Sequence, residues 1–253
     1  MHNDSWKKIF DDYDILKHDF SKTPFIITAE QIKKSTHSFK NTGEKEVRIL
    51  CKQDCRQDRA DVFIKNKLFL LPIKNGTFAI IKGEGYLDIP MITNTSQVYN
   101  SKLDFILDTS KVGNSEMQHL DFAYASSLVR TFLEDPTLVL TIRGRKYTPA
   151  FSFRVGKQLI EVKGVQTEVD AGYEGKDQIA LIEAKNCKTN NVIIRQLFYP
   201  YRQWAHYTKK KVITLFFEKI SEWYCLWQFE FKDTDDYNSI SLVKSCKYKI
   251  VDK

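Results

Sequence analysis

Glu168-Val169-Asp170-Ala171-Gly172-Tyr173-Glu174-Gly175-Lys176-Asp177-Gln178-Ile179-Ala180-Leu181-Ile182-Glu183-Ala184-Lys185 reads as the end of one strand, a turn and a second strand. The first strand is expected over 158–170 and the second over 178–185, with Gly172 and Gly175 in the turn between them. Side chains alternate in extended chain, so Ile179, Leu181, Glu183 and Lys185 share one face while Ala180, Ile182 and Ala184 take the other. By the same rule Glu168 and Asp170 share a face of the first strand. If the turn returns the chain antiparallel, three carboxylates and one ammonium converge. Unpaired charges at the end of an apolar strand are costly unless something compensates them. Mg²⁺ is suited to this, because it takes carboxylate oxygens while keeping waters for reaction. Asp170 and Glu183 are then the expected ligands, the Ala184 carbonyl a third, and Glu168 an outer or second-metal ligand. Lys185 would orient or help deprotonate the attacking water and offset phosphate charge. The alternative, a surface ion pair between Glu183 and Lys185, would be worth only ~0–1 kcal/mol. The apolar run Ile179 to Ile182 and the spacing to Asp170 argue against it.

On the N-terminal side of this hairpin, Trp6, Ile9, Phe10 and Tyr13 fall at the spacing of an amphipathic helix that Ser5 would cap. Thr28-Ala29-Glu30-Gln31 reads as a capping box. Strand character follows at 47–50, 68–73 and 78–81, the last two joined by an Asn75-Gly76 turn. Ser115-Glu116-Met117-Gln118 is a second capping box, and Met117, Leu120, Tyr124, Leu128 and Phe132 continue it as one helix until Pro136. A helix is expected over 192–209, then strands at 212–218, 223–231 and 239–243. These elements predict a smaller N-terminal α+β unit over 1–112 and a second domain over 113–253.

The balance of 39 Lys and Arg against 32 Asp and Glu gives a net charge of +7, which suits a polyanionic partner without requiring one. The opening residues lack an apolar signal core, and no segment approaches the ~18 apolar residues of a membrane span. Cys51, Cys55, Cys187, Cys225 and Cys246 form an odd, scattered set, which fits a reducing compartment. A cytoplasmic protein is therefore expected. The Cys51–Cys55 pair lacks the second pair or His partners of a zinc site, and His119 and His206 read as ordinary helix residues.

Asp170, a spacer, then Glu183-Ala184-Lys185 across a hairpin resembles the PD-(D/E)XK nuclease superfamily, with Val169 standing where the name has Pro. The likeness extends through Ile160-Glu161-Val162, residues 165–175, residues 181–186 and Arg195-Gln196-Leu197-Phe198-Tyr199-Pro200-Tyr201-Arg202. Together these segments, within 115–231, resemble the type II restriction endonucleases of that superfamily. The resemblance implies an α/β (α+β) fold: a mixed β-sheet core flanked by helices, preceded here by the DNA-recognition or docking unit. It further implies sequence-specific hydrolysis of double-stranded DNA to 5′-phosphates with Mg²⁺, for which Mn²⁺ substitutes. A cognate DNA methyltransferase is the implied system partner, and cutting two strands calls for a homodimer, at least on DNA. Gln196 sits where many members place a Gln, and Glu116 is a match for an acidic residue that some carry on the preceding helix.

Arg143, Arg145 and Lys146 are candidates for clamping phosphate, as are Arg195 and Arg202 on the following helix, although all five also suit a solvated or packed surface. In the polar stretch 52–59, Gln53, Arg56 and Arg59 are candidate base readers. Two other classes remain open: a repair or structure-selective nuclease, and a non-catalytic DNA-binding module on the same scaffold.

Overall fold

Beyond residue 138 the chain is rich in β-branched and aromatic residues and folds mostly as strands. The earlier residues alternate short apolar runs with capped turns and fold as short helices around a hairpin. The computed structural model describes residues 2–252. Met1 and Lys253, outer bounds of the two expected domains, lie outside the described residues. The fold is α+β, with a large mixed sheet flanked by helices.

In the N-terminal unit, α1 (Asn3–Asp12), β1 (Phe25–Thr28), α2 (Ala29–Thr36), α3 (Thr42–Lys45), α4 (Val47–Leu50) and α5 (Asp61–Lys65) gather around the hairpin of β2 (Leu68–Lys74) and β3 (Thr77–Lys82). Trp6, Ile9 and Phe10 of α1 pack with Ile32, Leu50, Phe63, Leu70 and Ile80 as this unit's own core. The Thr28 capping box forms as expected: the Gln31 N–H donates to the Thr28 hydroxyl at 3.2 Å, and the Thr28 N–H donates to the Gln31 side chain at 2.8 Å. The two-residue turn Asn75-Gly76 joins β2 to β3, with Gly76 in the left-handed region at φ +68°.

There follow β4 (Tyr86–Asp88), β5 (Gln97–Asn100), α6 (Glu116–Ala125), α7 (Leu128–Phe132), β6 (Val139–Tyr147), β7 (Phe151–Val155), β8 (Gln158–Val162), β9 (Gln166–Glu174), β10 (Gln178–Lys185), β11 (Asn191–Ile193), α8 (Arg195–Tyr207), β12 (Lys211–Ile220), β13 (Trp223–Phe231) and β14 (Ile240–Val251). Seven of these strands form one sheet in the order β5-β14-β13-β12-β10-β9-β6, parallel at β10–β12 and β14–β5 and antiparallel elsewhere. Leu120, Ala123, Leu128, Val129 and Phe132 of α6 and α7 cover one face, against Ala171, Tyr173, Ala180, Ile182, Ala184 and Leu215. On the other face α8 and the β7–β8 hairpin pack against Phe216, Trp227 and Phe229, and the N-terminal hairpin's Phe69, Leu71 and Ile81 join that core. Each apolar face is thus buried against a second layer. β4 and β5, within the expected N-terminal unit, pair with β11 and β14 of the C-terminal part.

Several local expectations are corrected. Residues 47–50 form the short helix α4 rather than a strand; the four-residue stretch Val47-Arg48-Ile49-Leu50 is too short to carry a period that separates the two. Ser5 lies inside α1 and donates to the Glu44 carbonyl at 2.7 Å rather than capping the helix. The helix expected over 117–132 breaks at Ser126-Ser127, where Ser127 adopts φ +66°. At its start Ser115 caps the Gln118 N–H, but the Gln118 side chain turns to the carbonyls of Thr109, Ser110 and Val112. The strand expected over 158–170 divides into β8 and β9, with Gly164 at φ +64° between them. Gly172 lies within β9, where Ile142 fills the space a Cβ would need. Residues 191–193 are strand β11, so the helix starts later than expected. No helix among the described residues is long and apolar enough to cross a membrane.

Candidate active site

β9 and β10 are antiparallel neighbours whose ladder runs from Ile179↔Glu174 to Ile182↔Ala171. The expected alternation along β10 holds: Ala180, Ile182 and Ala184 pack toward α6 and α7, whereas Ile179 and Leu181 join Val169, Ile142 and Trp204 on the α8 side. Glu183 and Lys185 continue the latter face. Past the last ladder pair, the Ala184 N–H would lack a strand partner. The Asp170 carboxylate takes its place, accepting that N–H at 2.8 Å. The pairing of β6 with β9 shifts register between Ile142↔Gly172 and Gly144↔Val169, giving β9 an extra residue around Asp170 and Ala171. Such bulges commonly redirect a side chain beside a functional site. Lys185 Nζ donates to Glu183 Oε1 at 2.5 Å.

Burial sets the electrostatics here. Glu183 is 8% exposed, and desolvation pushes its carboxyl up to about 7, with Asp170 and Asp54 adding in the same direction against the opposing pull of Lys185. Asp170 is also raised, chiefly by burial, although the Ala184 N–H and Lys185 favour its ionised form. Burial alone would lower the Lys185 ammonium, but Glu183, Glu116 and Asp170 outweigh it and hold the group above its ordinary range. The cluster therefore contains two carboxyl groups whose ionisation is opposed and one lysine held as a cation.

These groups open onto a cleft of about 790 Å³ between the two parts of the chain. Glu116, Glu168, Asp170, Glu183, Lys185, Arg195 and Gln196 line its C-terminal wall. Gln196 also borders a void of about 10 Å³ beside Glu183, the scale of one water, and its buried Oε1 has no hydrogen-bond partner among the described residues. Glu168 lies at the cleft but is ion-paired with Arg145 at 3.2 Å, and both are well exposed. Among the described residues no three His, Cys, Asp or Glu side chains form a ready-made cation cage.

The other sequence-predicted residues are distributed differently. Arg143 pairs with Asp121, and Lys146 is exposed on edge strand β6. Arg195, at the start of α8, faces Asp54 at 3.7 Å. Arg202 donates to the carbonyls of Ser152 and Thr234 and to Asp235, and lies 5.0 Å from the Phe151 ring centre. The expected base readers turn inward. Gln53 is buried, Arg56 binds Asp88, Glu84 and the Tyr86 carbonyl, and Arg59 donates to the carbonyls of Arg56 and Leu68 while covering the Tyr86 ring. As placed, these guanidinium groups hold the N-terminal unit to β4. Cys51 and Cys55 are free, and burial raises both thiols. His119 binds Asn114 at 2.8 Å.

Sequence reasoning passed over Asp54, which sits between Gln53 and Cys55 and whose carboxylate acts on Glu183 from the N-terminal side. It also passed over Lys33, Arg48 and Lys74, which line the cleft's opposite wall. Exposed lysines and arginines carry no local sequence signal that tells which surface they face. A family model described as Domain of unknown function (DUF6997) matches residues 81–249, two thirds of the chain. The chain belongs to the DUF6997 family. The N-terminal stretch 3–80 matches a second model, Domain of unknown function (DUF6996), so the two matches meet within β3. In DUF6997 terms, the carboxylates and Lys185 lie within the family's matched region, while the facing wall comes from the DUF6996 stretch. Comparison with curated proteins and with solved structures finds no significant match.

Proposed function

We propose that this DUF6997 chain is a Mg²⁺-dependent DNA endonuclease with a PD-(D/E)XK core, acting as a type II restriction enzyme that leaves 5′-phosphates. The observation that carries the reading is the meeting of Asp170, Glu183 and Lys185, from neighbouring antiparallel strands, at the floor of a cleft. The crossover from β10 through α8 to the parallel strand β12 supports the same scaffold. The donor set fits the ion. Mg²⁺ is commonly held by one or two carboxylates plus waters and substrate phosphate, and here two desolvated carboxyl groups stand beside one another with their ionisation opposed.

Asp170 and Glu183 would hold the ion, with the Ala184 carbonyl as a further oxygen and Glu168 at the periphery. When bound, Mg²⁺ would supply charge neutralisation of the two carboxylates and polarisation of the scissile phosphate. Lys185 stays protonated in this environment, so its work is to orient water and stabilise charge that builds on the phosphate. Gln196 borders the small void beside Glu183 and would position a water there. Water adds to phosphorus and gives up a proton to solvent, the bond to the 3′ oxygen breaks as that oxygen takes up a proton, and a 5′-phosphate is released. Glu116, at the capped start of α6, adds negative potential that keeps Lys185 a cation.

The test is digestion of phage and plasmid DNA with and without Mg²⁺ or Mn²⁺. Discrete fragments are expected with the ion present, and none from Asp170→Ala or Lys185→Ala at unchanged circular dichroism. A metal-independent smear, or normal cutting by either variant, would overturn the assignment. Nicked, branched and single-stranded substrates separate a structure-selective enzyme from a restriction enzyme, because only the latter prefers one sequence in intact duplex. Sedimentation with and without DNA tests the homodimer.

A further inference from the structure

The two walls of the cleft differ in their balance of charge: the C-terminal side sets Glu116, Glu168, Asp170 and Glu183 against Lys185 and Arg195, and the N-terminal side sets Lys33, Arg48, Lys52 and Lys74 against Glu46 and Asp54. Lys33, Arg48 and Lys74 project from the N-terminal side on α2, α4 and the end of β2. All three cationic residues are exposed, and none of their side chains has an ion-pair or hydrogen-bond partner among the described residues. They differ in this from Arg56 and Arg59, whose donors are spent on Asp88, Glu84 and backbone carbonyls. They differ also from Lys52, which stands 3.7 Å from Asp54.

A polyanion with one phosphodiester at the carboxylate wall meets repulsion there, and its flanking phosphates gain from cations facing them across the cleft. Cations already paired within the protein would have to break those contacts first. The three unpaired ones do not. Their scaffolds are also fixed, since α2 begins at the Thr28 capping box and Lys74 leads directly into the Asn75-Gly76 turn.

We infer that Lys33, Arg48 and Lys74 form a sequence-independent clamp that holds the phosphodiester backbone of DNA against the Asp170–Glu183 wall, an inference that rests on the nuclease reading above. The N-terminal unit then contributes affinity and placement rather than base readout through Gln53, Arg56 and Arg59.

The experiment is fluorescence-anisotropy binding of a labelled short duplex by the full chain, in EDTA so that nothing is cut. Wild type is compared with the Lys33→Ala/Arg48→Ala/Lys74→Ala variant. A second triple variant, Lys102→Ala/Lys157→Ala/Lys232→Ala, removes the same charge from exposed positions outside the cleft. Each phosphate-paired cation contributes ~0.9 to the slope of log affinity against log salt, so the clamp variant should lose roughly 2.7 from that slope. Between about 50 and 200 mM salt, wild type should weaken roughly 40-fold more than the clamp variant, and the control should parallel wild type. The same duplex bound with an unchanged slope by the clamp variant, or an equal loss in the control, overturns the clamp and leaves the nuclease reading standing. Absence of salt-dependent DNA binding by wild type overturns both. Because the three residues are exposed and unpartnered, circular dichroism of the variant should match wild type.

Discussion

Replacing Glu183 by Gln should make the protein more stable near neutral pH while abolishing the proposed DNA cleavage, and the pH dependence of that gain tests the site directly. Glu183 ionises near 4.5 in the unfolded chain but is pushed up to about 7 in the fold, mainly by burial. Below pH 4.5 both states hold the proton, and the carboxyl costs the fold nothing. Between 4.5 and 7 the native state retains a proton that the unfolded state has released, so raising the pH favours unfolding. Stability attached to this group is therefore complete below 4.5 and lost as pH rises through 7. At 1.36 kcal/mol per unit, the shift corresponds to about 3 kcal/mol by pH 8. Gln has nearly the same shape and does not titrate. The difference in unfolding free energy between Glu183→Gln and wild type should thus climb by about 3 kcal/mol from pH 4 to 8, with a slope up to about 1.4 kcal/mol per pH unit. Urea unfolding in EDTA, followed by tryptophan fluorescence at intervals across this range, gives both curves. Parallel curves would refute the claim that the Glu183 carboxylate is held at a cost.

The same proton competes with a cation, so Mg²⁺ affinity measured by calorimetry should fall by up to about tenfold per pH unit below 7 in wild type and lose that dependence in Glu183→Gln; equal pH profiles would count against Glu183 as a ligand. Arg56→Ala and Arg59→Ala should lower the melting temperature and leave the cleavage pattern intact, because their donors bind β4 and backbone carbonyls; a changed pattern at unchanged stability would restore them as base readers. Gly172→Ala puts a Cβ 2.6 Å from the Ile142 Cβ and should cost about 1–3 kcal/mol in denaturant unfolding. Thr28→Ala removes the capping hydroxyl and should cost about 1 kcal/mol by the same measurement.

How much of this was legible in the sequence differs by element. The β10 alternation was readable because a period of two fixes the face of each side chain without knowledge of the neighbours. The Thr28 capping box and the Asn75-Gly76 turn were readable because their signals span four residues or fewer. Residues 47–50 were not, since four residues with three apolar members are too few to fix either period, and Arg56 and Arg59 were not, since their partners Glu84, Tyr86, Asp88 and Leu68 are set by how the chain packs. The bulge at Asp170 was likewise invisible: it arises from the register between β6 and β9, which no single strand encodes.

That bulge bears on why the candidate site sits where it does. A regular β9 would continue its ladder to β10 past Ala171, and backbone groups would satisfy the Ala184 N–H. With the register shifted, the ladder stops at Ile182, and the Asp170 carboxylate satisfies that N–H instead. One oxygen of Asp170 is thereby fixed by the backbone, while the other is left for the cleft. Glu183, one residue earlier on β10, is oriented by Lys185 rather than by a backbone donor, which leaves it the more responsive of the two to an arriving cation. Local interruption of the sheet thus provides what the proposed chemistry would use, a rigid carboxylate beside an adaptable one, across the cleft from the uncommitted Lys33, Arg48 and Lys74.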